Sequence, residues 1–132
     1  MNPIGVDIAA LIRTNSSYEL GNNLFVNNLP TEPMNVVVVY DTSSTSPDNT
    51  LDKQTYWNDA VQVLVRNTNY LTAMSICTDM INILHNRTNE EIGGTQYLFI
   101  FLQNGPNKLG SGDIKTGKGE NLYSLNFRIK RK

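Results

Sequence analysis

The chain predicts an α+β domain of two layers: a mainly antiparallel β-sheet with two α-helices packed on one face. Three observations lead there. Residues 4–14 and 69–86 carry apolar side chains at helical spacing. NVVVVYD (35–41) and TQYLFIFLQN (95–104) carry apolar residues on both faces, as strands buried on both faces require. YWNDAVQVLVRN (56–67) and NLYSLNFRIKR (121–131) alternate apolar with polar, the period of a strand covered on one face.

In chain order, IGVDIAALIRT (4–14) puts Ile4, Ile8, Leu11 and Ile12 on one helical face. Asp7 stands early and Arg13 late, the signs a helix dipole favours. NLFVNNLP (23–30) predicts a short strand closed by Pro30. Four valines in a row then favour a buried strand, because β-branched side chains fit the pleat. TSSTSPDNTLDKQ (42–54) is polar and turn-rich, hence an exposed loop. In the next strand Val61, Val63 and Val65 share one face, and Gln62, Leu64 and Arg66 the other. The period then changes: Tyr70, Ala73, Met74, Ile76, Cys77, Met80, Ile81, Ile83 and Leu84 form a helical stripe. Asn69 is its N-cap, and His85 falls in its last turn, where a positive charge is favoured. After TQYLFIFLQN, residues 103–119 read as a long glycine-containing hairpin connection. In the last strand Tyr123, Leu125, Phe127 and Ile129 point inward, and Ser124, Asn126, Arg128 and Lys130 outward. No repeat or linker interrupts residues 1–132, so one domain with two long loops, 42–55 and 103–119, is expected.

Composition narrows the function classes. A hydrophobic fraction of 39% and a charged fraction of 17% suit a globular chain. No apolar run approaches the ~20 residues of a membrane helix. MNPIGVDIAALIRTN has no basic n-region, so no signal peptide is expected and synthesis is placed in the cytoplasm. A single cysteine, Cys77, allows no internal disulfide. GDIKTGKGEN (112–121) comes one residue short of a phosphate-cradling loop. Gly119 stands where a magnesium-binding hydroxyl belongs, and a strand is predicted next instead of a helix, so no helix N-terminus would meet the anion. His85 is the only histidine, which excludes a histidine metal cluster, and Cys77 lies in an apolar stripe, where a thiol behaves as a small hydrophobe. The carboxylates form no pair that spacing places together. No catalytic, cofactor or metal site is therefore expected.

Charge is uneven along the chain. Residues 1–60 carry Asp7, Glu19, Glu32, Asp41, Asp48, Asp52 and Asp59 against Arg13 and Lys53. Residues 105–132 carry Lys108, Lys115, Lys118, Arg128, Lys130, Arg131 and Lys132 against Asp113 and Glu120. Two partners suit this asymmetry, a nucleic acid or an identical neighbour whose acidic surface meets a basic one, and so does a solvated surface with no partner. A sheet that reads nucleic acid needs exposed aromatics beside its basic residues. In FRIKRK and the residues before it, Tyr123 and Phe127 alternate away from Arg128 and Lys130, which weakens that option.

PMNVVVVYDTSS (33–44), YWNDAVQVLVRNTNY (56–70) and NLYSLNFRIKR (121–131) carry a resemblance in their order and spacing. A proline precedes a valine-rich strand ending in Tyr-Asp. A Val-x-Val-x-Val-Arg strand leads into the long helix, and a Ser-Leu-Asn-Phe strand follows a glycine-containing loop. From residue 24 onward the chain resembles the tail terminator proteins of long-tailed bacteriophages, some of which go by minor capsid protein. The resemblance implies a virion structural protein with no enzymatic activity and no cofactor. It implies a homo-oligomeric ring, usually hexameric, that ends tail-tube polymerisation. Its partners would be the major tail tube protein and a head-completion or connector protein, with DNA passing through the lumen without sequence-specific binding and no membrane involved. A stopper or adaptor of the same junction is the nearest alternative; a nucleic-acid-binding module and a small enzyme stand further off. The charges that would make the contacts are expected at Asp48, Asp52, Lys108, Asp113, Lys115, Lys118, Arg128 and Lys130.

Overall fold

The structure is a computed structural model and describes residues 1–42, 47–49, 55–111 and 120–132. Its elements are α1 (Ile4–Thr14), β1 (Leu24–Val26), β2 (Val36–Asp41), β3 (Asp48–Asn49), β4 (Thr55–Asn67), α2 (Tyr70–Leu84), β5 (Arg87–Ile92), β6 (Thr95–Ser111) and β7 (Asn121–Arg131). The strands form a sheet in the order β1-β2-β4-β7-β6-β5, with β3 paired to β4. Only β1 and β2 run parallel; every other pairing is antiparallel. The α+β class predicted above holds.

The register of β4 divides the core. Val61, Val63 and Val65 oppose Phe127, Leu125 and Tyr123 on β7, while Val63 and Val65 oppose Val39 and Val37 on β2. These side chains form one buried cluster with Ile4, Ile8, Leu11 and Ile12 of α1 and Ala73, Cys77, Met80 and Leu84 of α2. On α2 the buried residues recur at four- and three-residue steps, so its stripe is narrower than the sequence suggests. Met74, Ile76, Ile81 and Ile83 are only partly buried, and Tyr70, the first residue of the helix, lies 53% exposed. Asn69 caps the helix as predicted, its Oδ1 accepting the Thr72 N–H at 3.0 Å.

A buried polar network ties both ends of the chain to this core. The Arg131 guanidinium donates to Asp59 Oδ2 at 2.7 Å and to the Asn2 carbonyl at 2.8 Å. Asn2 Nδ2 donates to Asp7 Oδ1 at 3.1 Å, and the Tyr97 hydroxyl donates to Asp7 Oδ2 at 2.5 Å. Burial, and then the hydrogen bond to Asp7, push the Tyr97 phenol well above its usual range, so it stays a donor. Gly93 (φ +58) closes beside this network, where a Cβ would run into Asp7 Oδ1. The early acid of α1 thus serves the core as well as the helix dipole.

Four expectations change. The strand expected over 23–30 stops at Val26, because Asn27 turns left-handed at φ +55. RTNEEI (87–92) forms β5, although it has no apolar alternation to announce it. It is an edge strand, paired to β6 alone and irregular at Asn89 (φ +52). Residues 103–111 are strand, not connection, since β6 continues to Ser111 through several register shifts. One shift falls at Gly105 (φ +119), where a side chain would strike the Ser124 carbonyl. Of the 42–55 loop, Asp48 and Asn49 pair with β4, and residues 43–46 and 50–54 lie outside the described residues. GDIKTGKGEN falls mostly outside them too, but it joins β6 to β7 and leads into a strand, not a helix.

Removing one partner of a buried ion pair leaves the other uncompensated, at about 3–5 kcal/mol. Asp59→Ala should therefore lower unfolding stability by about that amount. Urea denaturation followed by circular dichroism measures it, and a loss under ~1 kcal/mol, the value of a surface pair, would show that Arg131 finds another partner.

Candidate interaction surfaces

The even-numbered residues of β4 form the sheet's other face, which has two regions. At the Arg66 end, Val36, Val38 and Leu64 are buried with Phe25, Leu29, Tyr40 and Leu122 packed against them. Residues 28–35 cross this end as a strap. The Arg66 guanidinium, only 7% exposed, donates to the carbonyls of Pro30, Pro33 and Met34 at 2.5, 3.0 and 2.8 Å. Each bond satisfies a backbone acceptor that has no strand partner, so one side chain fixes the strap. Thr31, Glu32 and Pro33 at its crest are exposed.

The other region lies at the Ala60 end. Across β4, β7 and β6, the register aligns Ala60 with Arg128 and Phe101, and Asn58 with Lys130 and Phe99. The small side chain of Ala60 leaves a hollow of about 540 Å³, lined by Asn58, Ala60, Gln103, Arg128, Lys130 and the acids Asp48 and Asp59. Phe99 and Phe101 stack on one another with centroids 4.7 Å apart, and Phe101 is 38% exposed. This corrects the expectation that the basic residues lack aromatic neighbours. β7 supplies none on this face, but β6 does. A larger hollow of about 1000 Å³ beside the end of α1 is lined by Arg13, Ser16, Tyr18 and Glu19 among others.

Most charges in the Ala60 region are already matched. Lys130 Nζ meets Asp48 Oδ2 at 2.5 Å and lies 5.8 Å from the centre of the Tyr56 ring. Asp48 also accepts from Asn58 Nδ2 at 3.0 Å. The hydrogen bond from Lys130, then that from Asn58, hold the Asp48 carboxyl below its usual range. Arg131 is paired to Asp59. Part of the acid-to-base asymmetry along the sequence is therefore resolved within one chain, because β7 lies beside β4. Arg128 differs: it is exposed, and no acid pairs with it among the described residues.

The remaining sequence candidates are dispersed. Lys108 is exposed on β6 opposite Tyr123, far along the strand from Arg128. Asp52, Asp113, Lys115 and Lys118 lie outside the described residues. Phe99, Phe101, Gln103 and Arg66 were not singled out from the sequence. Only the strand register puts the first three beside Arg128, and nothing in the sequence announces Arg66's three carbonyls.

His85 and Cys77, the side chains weighed for reactivity in the sequence, have structural tasks. His85 occupies the C-cap position of α2, and its Nδ1 accepts the Leu102 N–H at 2.9 Å. It continues the pairing to β6 just ahead of β5, and stands at the cap and not inside the last turn as expected. Cys77 is fully buried, and burial pushes its thiol up to about 11. Among the described residues no three His, Cys, Asp or Glu side chains gather into a metal site. No helix there is long and apolar enough to cross a membrane.

A family model described as bacteriophage tail terminator protein matches residues 11–132. A chain from the virion of a native gene transfer agent particle has the same fold, with a TM-score of 0.59 at 9% identity, over 97% of this chain and 93% of that one. A second solved chain aligns with a TM-score of 0.43 at 12% identity, over 81% and 78% of the two chains, too low to carry an argument. Among curated protein sequences none matches.

A thiol with its pKa near 11 is almost wholly protonated at pH 8, and the core shields Cys77 further. Alkylation of the native protein at pH 8 should leave Cys77 unmodified by mass spectrometry until denaturant unfolds the chain. Rapid labelling of the folded protein would contradict this packing.

Proposed function

The chain belongs to the bacteriophage tail terminator family, and we propose that it assembles as a ring, as a hexamer, on the head-proximal end of the tail tube. There it ends tube polymerisation, meets the head-completion or connector protein, and leaves a channel through which DNA passes. The observation that carries this is the family match across residues 11–132, nearly the whole domain. A structural protein of the phage tail works through surfaces, and the structure offers surfaces.

Several features support a subunit that pairs only in a specified way. β5 carries the Arg87–Glu90 ion pair at 2.8 Å and the left-handed Asn89 (φ +52), both of which discourage strand addition at that edge. β1 has only three residues. β6 outruns β5, which stops opposite Ile100, so β6 is itself the sheet's edge from Phe101 onward, and the 112–119 connection follows its end. We assign that connection and the 42–55 loop to axial contacts with tube and connector. The basic side chains Arg128 and Lys130 are assigned to contacts between subunits, since a basic lumen wall would hold DNA phosphates and slow passage.

Purified virions imaged by electron microscopy should show this chain at the junction of head and tail, and phage lacking the gene should make tails of irregular length. Intact, infectious virions without the chain would overturn the proposal.

A further inference from the structure

We propose that in the ring the strap of one copy, residues 28–35, seats on the Arg128 region of the next, with the Glu32 carboxylate against the Arg128 guanidinium. This rests on the ring proposed above. Two unmatched charges of opposite sign motivate it. Lys130 and Arg131 have acids within the chain, which leaves Arg128 as the uncompensated cation of its hollow. Glu32 is exposed at the strap's crest, with no ion-pair partner among the described residues.

One copy does not pair them itself. Arg66 lies under the strap and Ala60 lies beside Arg128, six residues apart on β4. At ~3.3 Å per residue that is roughly 20 Å along the strand, before the lateral step from β2 to β7 is added. A glutamate side chain spans about a quarter of that distance. Two different patches that match each other but cannot meet within one copy form a head-to-tail contact, the type that closes into rings.

The shapes agree with the charges. Arg66 fixes the strap's carbonyls, so docking orders little that is not already ordered. Pro33 and Phe101 are both exposed, one on each patch, and the contact covers both. Asn58 and Gln103 line the hollow beside Arg128 and offer amide donors to the incoming carboxylate and carbonyls. A nucleic acid fits less well. Phe99 and Phe101 stack on each other, which leaves each at most one face for a base. Binding a phosphate backbone draws on many cations, and this hollow has one uncompensated.

Charge reversal tests the contact. Glu32→Arg and Arg128→Glu alter exposed side chains and should leave the melting curve of the free protein unchanged. Supplied to phage lacking the gene, each single variant should reduce incorporation into virions roughly tenfold or more, and the double variant should restore most of it. A second arm replaces Glu32 and Arg128 with cysteine in one chain; because Cys77 is buried, oxidised virions should yield a ladder of disulfide-linked copies. A double variant no better than the singles, or no ladder, overturns the strap contact. If rings still form in those samples, the ring itself stands; wild-type virions lacking a ring of this chain would remove both. An Arg128→Glu defect that Glu32→Arg leaves uncorrected, accompanied by lost salt-dependent DNA binding, would assign the hollow to nucleic acid instead.

Discussion

β4 and β7 pair without interruption from Trp57–Arg131 to Asn67–Asn121, and the rest of the molecule is built outward from that ladder. Side chains alternate along both strands, so a slip of one residue would send Val61, Val63, Val65, Leu125 and Phe127 to the opposite face. The valine-rich β2 extends the ladder on one side and β6 on the other. The two helices then bury one face, whose side chains form a single cluster with theirs. The other face is left to be divided between the strap and the exposed Arg128 region.

The same ladder decides what the charges do. Along the sequence, acids gather in the first half and bases in the last third. Folding places β7 against β4, with β3 beyond it, so Asp59 meets Arg131 and Asp48 meets Lys130. The first pair is buried, and its arginine also holds the chain's beginning through the Asn2 carbonyl. The second is partly exposed and worth much less. What remains unmatched among the described residues is less than the linear charge pattern suggests, Arg128 and Glu32 among it.

The two arginines of the far face show how environment sets the task of a side chain. Arg66 is buried and spends its donors on carbonyls that would otherwise lack partners. Arg128 stands three positions beyond Leu125, on the same strand that supplies the core, yet its guanidinium meets water beside Phe101. A structural protein of the phage tail makes its contacts through such surface groups. Its specificity resides in where such unmatched groups are held and how rigidly.

By itself the sequence determined α1 and α2 with the Asn69 cap, the inward faces of β4 and β7, the α+β class and the family, because each follows from periodicity, capping chemistry or motif order within a short stretch. It also disposed of the phosphate-loop match, since a strand pattern follows Gly119. Tertiary structure alone decided the rest. β5 is polar and stands as a strand only because β6 offers it an edge, and the extension of β6 through Gly105 depends on β7 running alongside. The pairing of Asp48 with Lys130, the clasp of Arg66 on the strap and the placing of Phe101 beside Arg128 are contacts between residues distant in the chain. Register between strands fixes such contacts, and register belongs to the sheet as a whole, not to any one strand's sequence.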